Sequence, residues 1–192
     1  MAVSEGREER SAAKIWGIGV RQVVLMALGA ALYAGLSWLT NSLQLPGASN
    51  VSLRPGIVIP LFFGVVFGPI VGAFSGGIGN LINDLLTGTV YWNWDVGNAI
   101  IGLVAGLAMY STLGRYNSTV KIIVAEFYSV IGILVGLGFA AFSDIWVSQL
   151  TFKSATTTEF IPATLPDIVL GLILLPILLV AYNAAFARTG RS

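Results

Sequence analysis

Residues 53–113 read LRPGIVIPLFFGVVFGPIVGAFSGGIGNLINDLLTGTVYWNWDVGNAIIGLVAGLAMYSTL, and glycines recur in them at every fourth position. The column consists of Gly64, Gly68, Gly72 and Gly76, and the same spacing then reaches Asn80 and Asp84. Small residues at this spacing let helix backbones approach closely in lipid. Polar residues that continue the column are costly in a bilayer, so they are expected to face a cavity or a partner. The stretch therefore predicts tightly packed helices and a polar pocket near one membrane surface.

The composition is that of an integral membrane protein. The chain has 192 residues, of which 56% are hydrophobic and 10% are charged, with a mean hydropathy of +0.85. Soluble domains carry about 25% charged residues. Cysteine and histidine are absent, which excludes disulfides, thiolate nucleophiles and Cys/His zinc sites. The sequence also lacks a phosphate-binding loop of the G-x-x-x-x-G-K-[ST] type, so any ATPase must be a separate chain.

Six transmembrane helices are predicted, since a span needs about 20 mostly apolar residues. They cover about Val23–Leu39, Leu53–Phe67, Pro69–Leu86, Val96–Leu113, Ile122–Val147 and Leu165–Phe186. We expect Pro60 to kink or break the second span, and Gly68-Pro69 to join spans two and three as a hairpin. The fold class is a compact all-α bundle. Residues 1–22 form a basic N-terminal segment, residues 23–186 the membrane domain, and residues 187–192 a tail.

The positions of Lys and Arg predict the orientation. With the N-terminus inside, eight basic residues are cytoplasmic and only Arg54 and Lys153 lie outside, which follows the positive-inside rule. An even number of spans then leaves both termini in the cytoplasm of a multi-pass cell-membrane protein. The apolar run from Val23 is longer than the core of a cleaved signal peptide, so we interpret it as a retained helix.

This topology collects polar side chains at the outer surface. The predicted substrate-binding residues are Arg54, Asn80, Asn83, Asp84, Trp92, Trp94, Asp95, Asn98, Asp144 and Asp167. Tyr91, Trp92, Trp94 and Asp95 are expected in the loop before span four, and Asp167 in the first turn of span six. Several distant segments thus contribute to one region, as expected for a pocket.

The residue types indicate the class of ligand. Carboxamides donate and accept hydrogen bonds, which suits the edges of heterocycles, and aromatic rings offer faces for stacking. Four acids and one arginine favour a ligand with donor groups or positive charge. Each residue type also has a structural interpretation: tryptophans anchor at membrane interfaces, Asp95 and Asp167 cap helices, and Arg54 snorkels outward.

Two further features fall outside this cluster. The first span carries two pairs of small residues four positions apart, Ala27 with Ala31 and Ala30 with Ala34, which predict either internal packing or a docking surface for another membrane protein. Glu126 lies in the cytoplasmic half of span five, where it pairs with a base, contacts a partner or relays protons; the sequence does not distinguish these roles.

The chain resembles a known family, the substrate-binding S components of energy-coupling factor (ECF) transporters. The resemblance covers nearly the whole chain, and its most specific residues are Leu53-Arg54-Pro55, Phe67-Gly68-Pro69-Ile70-Val71-Gly72, Gly79-Asn80, Asp84-Leu85-Leu86-Thr87-Gly88, Trp94 and Gly97-Asn98-Ala99-Ile100-Ile101-Gly102. The pattern is similar to the riboflavin-type or uncharacterised subgroup.

The resemblance implies a protein that binds a vitamin or its precursor from outside and assembles with a membrane scaffold subunit and two ATPase subunits. It implies that ATP is used by those partners and that this chain carries no cofactor. It also implies a gating loop at about Asn41–Ser52 and a scaffold contact through Ala27, Ala31 and Ala34. The ligand is expected to be a planar heterocycle, thiamine-, pyrimidine- or riboflavin-like.

Three other functions remain open at this stage: a self-sufficient solute carrier, a membrane enzyme and an assembly protein. No paired carboxylates, nucleophile with a base or metal set is recognisable from spacing, so we do not expect an enzyme.

Overall fold

The computed structural model describes residues 15–43 and 53–188, which form an all-α structure without β-strands in those two ranges. Six main helices follow in order: α1 Val20–Thr40, α2 Val58–Phe67, α3 Pro69–Thr87, α4 Trp92–Gly106, α5 Thr119–Val147 and α6 Ile161–Arg188. Short helical turns at Pro55–Ile57, Met109–Thr112 and Phe152–Ser154 connect them, and Ala155–Phe160 is π-helical. The predicted all-α class and the six helices are confirmed. The predicted N-terminal segment and gating loop lie partly, and the end of the tail wholly, outside the described residues.

The predicted hairpin between α2 and α3 turns on a single glycine. Gly68 has φ 114° and ψ 164°, a backbone conformation that residues with a Cβ rarely adopt. Its N–H donates to the carbonyl of Gly64 at 2.9 Å, and Pro69 then opens α3, where its missing N–H costs nothing. The sequence led us to expect that Pro60 kinks or breaks the helix. Instead, Pro60 lies in the first turn of α2, where its missing N–H costs nothing, and α2 continues to Phe67.

Glycines bring α3, α4 and α5 into backbone contact. A Cβ added to Gly72 would lie 2.3 Å from the carbonyl oxygen of Gly102, and one added to Gly76 would lie 2.1 Å from that of Asn98. On the other side of α4, a Cβ on Gly97 would lie 2.7 Å from the carbonyl oxygen of Gly136. The glycine column of the sequence is thus the surface on which α4 is held between its neighbours.

The apolar core lies where α2 meets α4, α5 and α6. Its fully buried side chains include Leu61, Ile101, Ile133, Leu137 and Leu175. A separate small cluster of Met26, Phe63 and Val71 joins α1 to α2 and α3. Because α2 contributes to both clusters, this short helix is the centre of the bundle.

The outward faces of the helices are also apolar. Val20 is 84% exposed, Val120 69% and Leu39 67%, and many other Val, Leu and Ile side chains are exposed in the same way. Within residues 15–43 and 53–188, three helical segments are long and apolar enough to cross a membrane: Val20–Thr40, Thr119–Val147 and Phe152–Ala185. Pro55–Phe67 is apolar but shorter.

Several predicted helix limits were wrong. α4 begins at Trp92 rather than near Val96, so Trp92, Trp94 and Asp95 lie in its first turn and not in a loop, and Asn98 lies in its second turn. The last helix is continuous with the helical and π-helical segment from Phe152, so Asp167 lies in the second turn of α6 and not at a free N-terminus. Pro166 and Pro176 sit inside α6 without ending it.

Candidate functional site

A polar cavity of about 450 Å³ opens at the end of the bundle where α3 and α5 end and α4 begins. It is lined by Asn41, Arg54, Asn80, Asn83, Asp84, Tyr91, Trp94, Asp144, Ser148, Leu150, Ser154, Thr158, Glu159 and Ala163. The lining residues come from segments that are far apart in the sequence, and the volume lies within the range of about 300–1,000 Å³ that small-molecule sites occupy.

The last turns of α3 form one wall. Asn80, Asn83 and Asp84 are each at most 9% exposed, and their spacing along the helix puts them on one face. The Asn80 side-chain amide donates to Asp95 at 2.9 Å, and Asp84 accepts the backbone N–H of Tyr91 at 2.7 Å. These bonds join the end of α3 to the start of α4, so the wall has a defined shape without a ligand.

The first turn of α4 positions an indole against α5. Nε1 of Trp94 donates to Oδ2 of Asp144 at 2.8 Å, and the Ser148 hydroxyl donates to Oδ1 of the same carboxylate at 2.6 Å. Both oxygens of Asp144 are therefore occupied. A ring held in this way is a preformed surface for a flat ligand, because little rotamer freedom is left to lose on binding.

A buried ion pair lies at the side of the cavity. Nη2 of Arg54 donates to Oδ2 of Asp167 at 2.5 Å, and the two side chains are 15% and 2% exposed. The pair joins the segment before α2 to α6. The charge of Arg54 is thereby balanced within the protein, and Asp167 does not line the cavity.

Asn98 lies beneath the cavity rather than in its wall. It is fully buried, its Oδ1 accepts the Tyr33 hydroxyl at 2.7 Å, and its Nδ2 donates to the carbonyl of Trp94 at 2.8 Å. Asn98 therefore connects α1 to the turn of α4 that carries the indole. It supports the site without contact with the cavity.

The structure brings six of the ten predicted residues together as lining: Arg54, Asn80, Asn83, Asp84, Trp94 and Asp144. Asp95, Asn98 and Asp167 are hydrogen-bonded partners of lining or supporting residues. Trp92 is 55% exposed and does not line the cavity, since it points away from the bundle at the start of α4.

Sequence reasoning did not assign the part of the cavity wall that runs from Ser148, just after α5, through the π-helical segment. Ser148, Leu150, Ser154, Thr158 and Glu159 line the cavity there. The available signal was a glutamate within the polar run TFKSATTTEF, directly before the last apolar segment. Asn41 was included only through the predicted gating loop, and its side chain donates to Asn83 at 2.9 Å.

A metal centre is not indicated in the described ranges, where no three His, Cys, Asp or Glu side chains are grouped to hold an ion. The cavity lining combines three carboxyl groups, three carboxamides, hydroxyls, one indole and one paired guanidinium. These groups can hold a polar planar molecule by hydrogen bonds at its edge and stacking on its face.

The predicted docking residues on α1 do not share one face. Ala27 and Ala31 are exposed, whereas Ala34 is 3% exposed and packs inside the bundle, so its assignment to a docking face was wrong. Gly35 is exposed, and a Cβ added to it would meet nothing within 4 Å. The exposed small-residue face of α1 therefore consists of Ala27, Ala31 and Gly35, at a spacing of four residues.

Glu126 lies on α5, away from the cavity lining. Both of its carboxylate oxygens are buried and lack a hydrogen-bond partner among the described residues. The hydroxyl of Ser129, one turn further, is buried and unpartnered in the same way. The base that the sequence led us to consider as a partner is thus not found in the described ranges.

Comparisons with known proteins found a matching family and several relatives of this chain. The model of the ECF-type riboflavin transporter S component family matches residues 17–184. A UPF0397 protein from Vibrio atlanticus is 35% identical over 130 residues, which is 65% of this chain and 70% of that protein. UPF0397 proteins from Aliivibrio fischeri and Aliivibrio salmonicida are 33% and 32% identical over 132 residues, which is 66% of this chain and 71% of each. No solved structure matches the chain.

Proposed function

Because the chain belongs to the family of ECF-type riboflavin transporter S components, we propose that it captures a small planar vitamin or vitamin precursor at the outward-facing side of the cell membrane. In this role the chain binds the solute, and separate subunits supply the energy for import. Members of this family are membrane-embedded transporter components and not enzymes, in agreement with the apolar outer surface of the helices.

The cavity is the observation that carries this proposal. A carboxamide, a carboxylate and an indole face it from three different helices, through Asn80, Asp144 and Trp94. Polar side chains inside a membrane-spanning bundle are costly unless they are paired or face a water-filled space. A cavity whose polar walls are already bonded to one another, as Trp94 is to Asp144, matches a preorganised binding site better than it matches a purely structural network.

The proposal includes a definite membrane arrangement. Six helices cross the bilayer, with both termini in the cytoplasm and the cavity on the outer side. The basic residues support this, since eight of ten then lie inside. The shorter α2 crosses together with the turn Pro55–Ile57 that precedes it, and its neighbours in the bundle surround it.

Partner subunits belong to the same proposal. As the family implies, ATP is hydrolysed by two separate ATPase subunits, and this chain carries no cofactor. The lack of a phosphate-binding loop in the sequence is compatible with this division of roles. A membrane scaffold subunit docks on the exposed face of α1 formed by Ala27, Ala31 and Gly35. Small residues allow a partner helix to approach closely, which is the main source of helix association in lipid.

Mass spectrometry of small molecules that co-purify with the protein in mild detergent tests the proposed function. We expect the wild type to carry a planar heterocycle and Asn80→Leu to lose it, because leucine removes the cavity-lining amide at similar volume. Asn117→Leu, at an exposed position outside the cavity lining, is the matched control and is expected to retain the ligand.

A second substitution tests whether loss of the ligand is caused by misfolding. Asp84→Asn keeps the size of the side chain and alters only its charge, so the fold should survive, as checked by thermal melting without ligand. Release of the ligand by both cavity variants supports the proposal. Retention of the same molecule by both variants, or recovery of lipid alone from the wild type, contradicts it.

A further inference from the structure

We propose that the cavity selects ligands that carry a positive charge, and that Glu159 is the residue that sets this preference. The inference rests on the proposed function and deepens it by assigning a class of substrate. Its starting point is the part of the cavity wall that sequence reasoning missed, which runs from Ser148 through the π-helical segment Ala155–Phe160.

The charges that line the cavity do not balance. Asp84, Asp144 and Glu159 line it, whereas the one cation among its described lining residues is Arg54. The guanidinium of Arg54 is already paired with Asp167, which lies behind the wall. The ligand therefore meets up to three carboxylates and a cation whose charge is balanced elsewhere, and a positive ligand is favoured in such surroundings.

Glu159 on the missed wall shares the cavity with Asp144, which the sequence had assigned to the site. Both carboxyl groups line this cavity, and the charge of Asp144 acts on Glu159. Two carboxylates in one cavity repel each other unless a proton or another cation lies between them or beside them. A positively charged ligand group can take over that role, and it thereby gains binding energy that a neutral group of the same shape does not.

Glu159 differs from Asp144 in its hydrogen bonding. Asp144 already accepts hydrogen bonds at both oxygens, from Trp94 and Ser148. By contrast, Oε2 of Glu159 is buried and has no hydrogen-bond partner among the described residues. A buried carboxylate oxygen without a partner is costly, and a positive ligand group beside the Glu159 carboxyl lowers that cost.

The hydroxyl groups next to Glu159 are already hydrogen-bonded. In the π-helical segment, the hydroxyls of Thr156, Thr157 and Thr158 bond back to carbonyls four residues earlier, at 2.8 to 2.9 Å. By contrast, Oε2 of Glu159 has no hydrogen-bond partner among the described residues. π-Helical turns are rare and often occur at functional sites.

The indole completes the geometry for a flat cation. Trp94 lines the cavity and is bonded to Asp144, the neighbour of Glu159. A cationic heterocycle stacked on this ring gains a cation–π contribution in addition to the attraction of the carboxylates. The same ring is a poorer partner for an anion, so the wall as a whole discriminates by charge.

Matched pairs of probes that differ in charge test the proposal. We would measure the binding of thiamine against deazathiamine, its neutral thiophene analogue, and of 1-methylnicotinamide against nicotinamide, to the full chain in nanodiscs. Riboflavin serves as a neutral planar probe. The wild type is expected to bind the cation of at least one pair about tenfold more tightly than its neutral partner.

The variants separate charge from shape. Glu159→Gln is expected to reduce the cation-to-neutral ratio to about one, because the amide keeps the volume and removes the charge. Glu126→Gln removes the other buried glutamate on the described chain outside the cavity and is expected to leave the ratio unchanged. Equal binding of cationic and neutral partners by the wild type, or an unchanged ratio in Glu159→Gln, overturns the inference.

The proposed function has a separate outcome. Tight binding of riboflavin or nicotinamide without a cation preference overturns the charge selection and leaves heterocycle capture supported. Failure of the wild type to bind any of the five probes overturns charge selection for these heterocycles, and the co-purified molecules then decide whether the proposed capture of a heterocycle also fails.

Discussion

At the scale of single residues, the site is built from polar groups that hold one another. Asn80 bonds to Asp95, Trp94 to Asp144, and Arg54 to Asp167. Such pairing is what makes polar side chains tolerable within an apolar bundle. It also means that a substitution affects the partner as well as the residue that is changed, so double variants are needed to assign a role.

The Arg54–Asp167 pair offers such a test. Asp167→Leu leaves a guanidinium in a largely buried position without a counter-charge, which is expected to cost about 3–5 kcal/mol of stability. The double variant Arg54→Met with Asp167→Leu removes both charges, and we expect it to recover most of the loss. Thermal melting of the detergent-solubilised protein without ligand measures the effect.

The contrary result is also defined. If the melting temperature of Asp167→Leu equals that of the wild type, the pair is not a stabilising contact and Arg54 is free to bind a ligand. If the double variant is no more stable than the single variant, the loss comes from packing around residue 167 and not from the unpaired charge.

At the scale of elements, the fold depends on how closely α4 approaches its neighbours. The glycines of α3, α4 and α5 carry no side chain at their closest approach to the neighbouring helix, so backbone meets backbone there. Helix association in lipid relies on this close packing, because lipid tails are as apolar as the side chains they replace. The cavity exists because the glycine column gives way to Asn80 and Asp84 at the end of α3.

Gly102 is the most sensitive position of this packing. A Cβ added there would lie 2.0 Å from the carbonyl oxygen of Gly72, which is backbone and cannot rotate away. We expect Gly102→Val to force α3 and α4 apart and to cost at least about 1–3 kcal/mol, the usual range for overpacking. A lower melting temperature and loss of ligand binding would show the effect.

Gly35→Val is the control for that experiment. Gly35 is a helical glycine on α1 with open space around its added Cβ, so the same substitution should leave the melting temperature of the isolated chain unchanged within about 2 °C. Equal melting temperatures for both variants would contradict the packing argument.

At the scale of the whole molecule, the outer surface is as important as the cavity. Most of it is apolar, and one narrow strip on α1 is made of small residues. The apolar surface suits lipid, whereas the strip suits a helix of another protein. Under the proposed function, the strip is the surface on which the scaffold subunit docks, since capture of a solute is only the first step of import.

Ala31→Trp tests the role of the strip. The large side chain is expected to reduce recovery of the scaffold and ATPase subunits in pull-down of the complex by at least about tenfold, because it prevents close helix approach. Binding of the solute to the isolated chain should be unchanged, since α1 carries Ala31 on its outer face. Val169→Trp, at an exposed position on α6, is the matched control.

Loss of the partners in both variants would indicate a general effect of a bulky exposed side chain. Unchanged recovery with Ala31→Trp would assign the docking surface to another face of the bundle.

The sequence by itself determined what depends on neighbours along the chain. Apolar runs and glycine spacing predicted six helices, the Gly68-Pro69 turn, and the polar end of α3, because helix periodicity and turn chemistry act over a few residues. Only the tertiary structure decided which distant side chains meet. Arg54 and Asp167 are separated by 113 positions, and Glu159 reaches the cavity through a π-helical segment that no local pattern marks. The burial of Ala34 was also decided by the tertiary structure, since the elements that pack against α1 set how this helix is rotated about its axis.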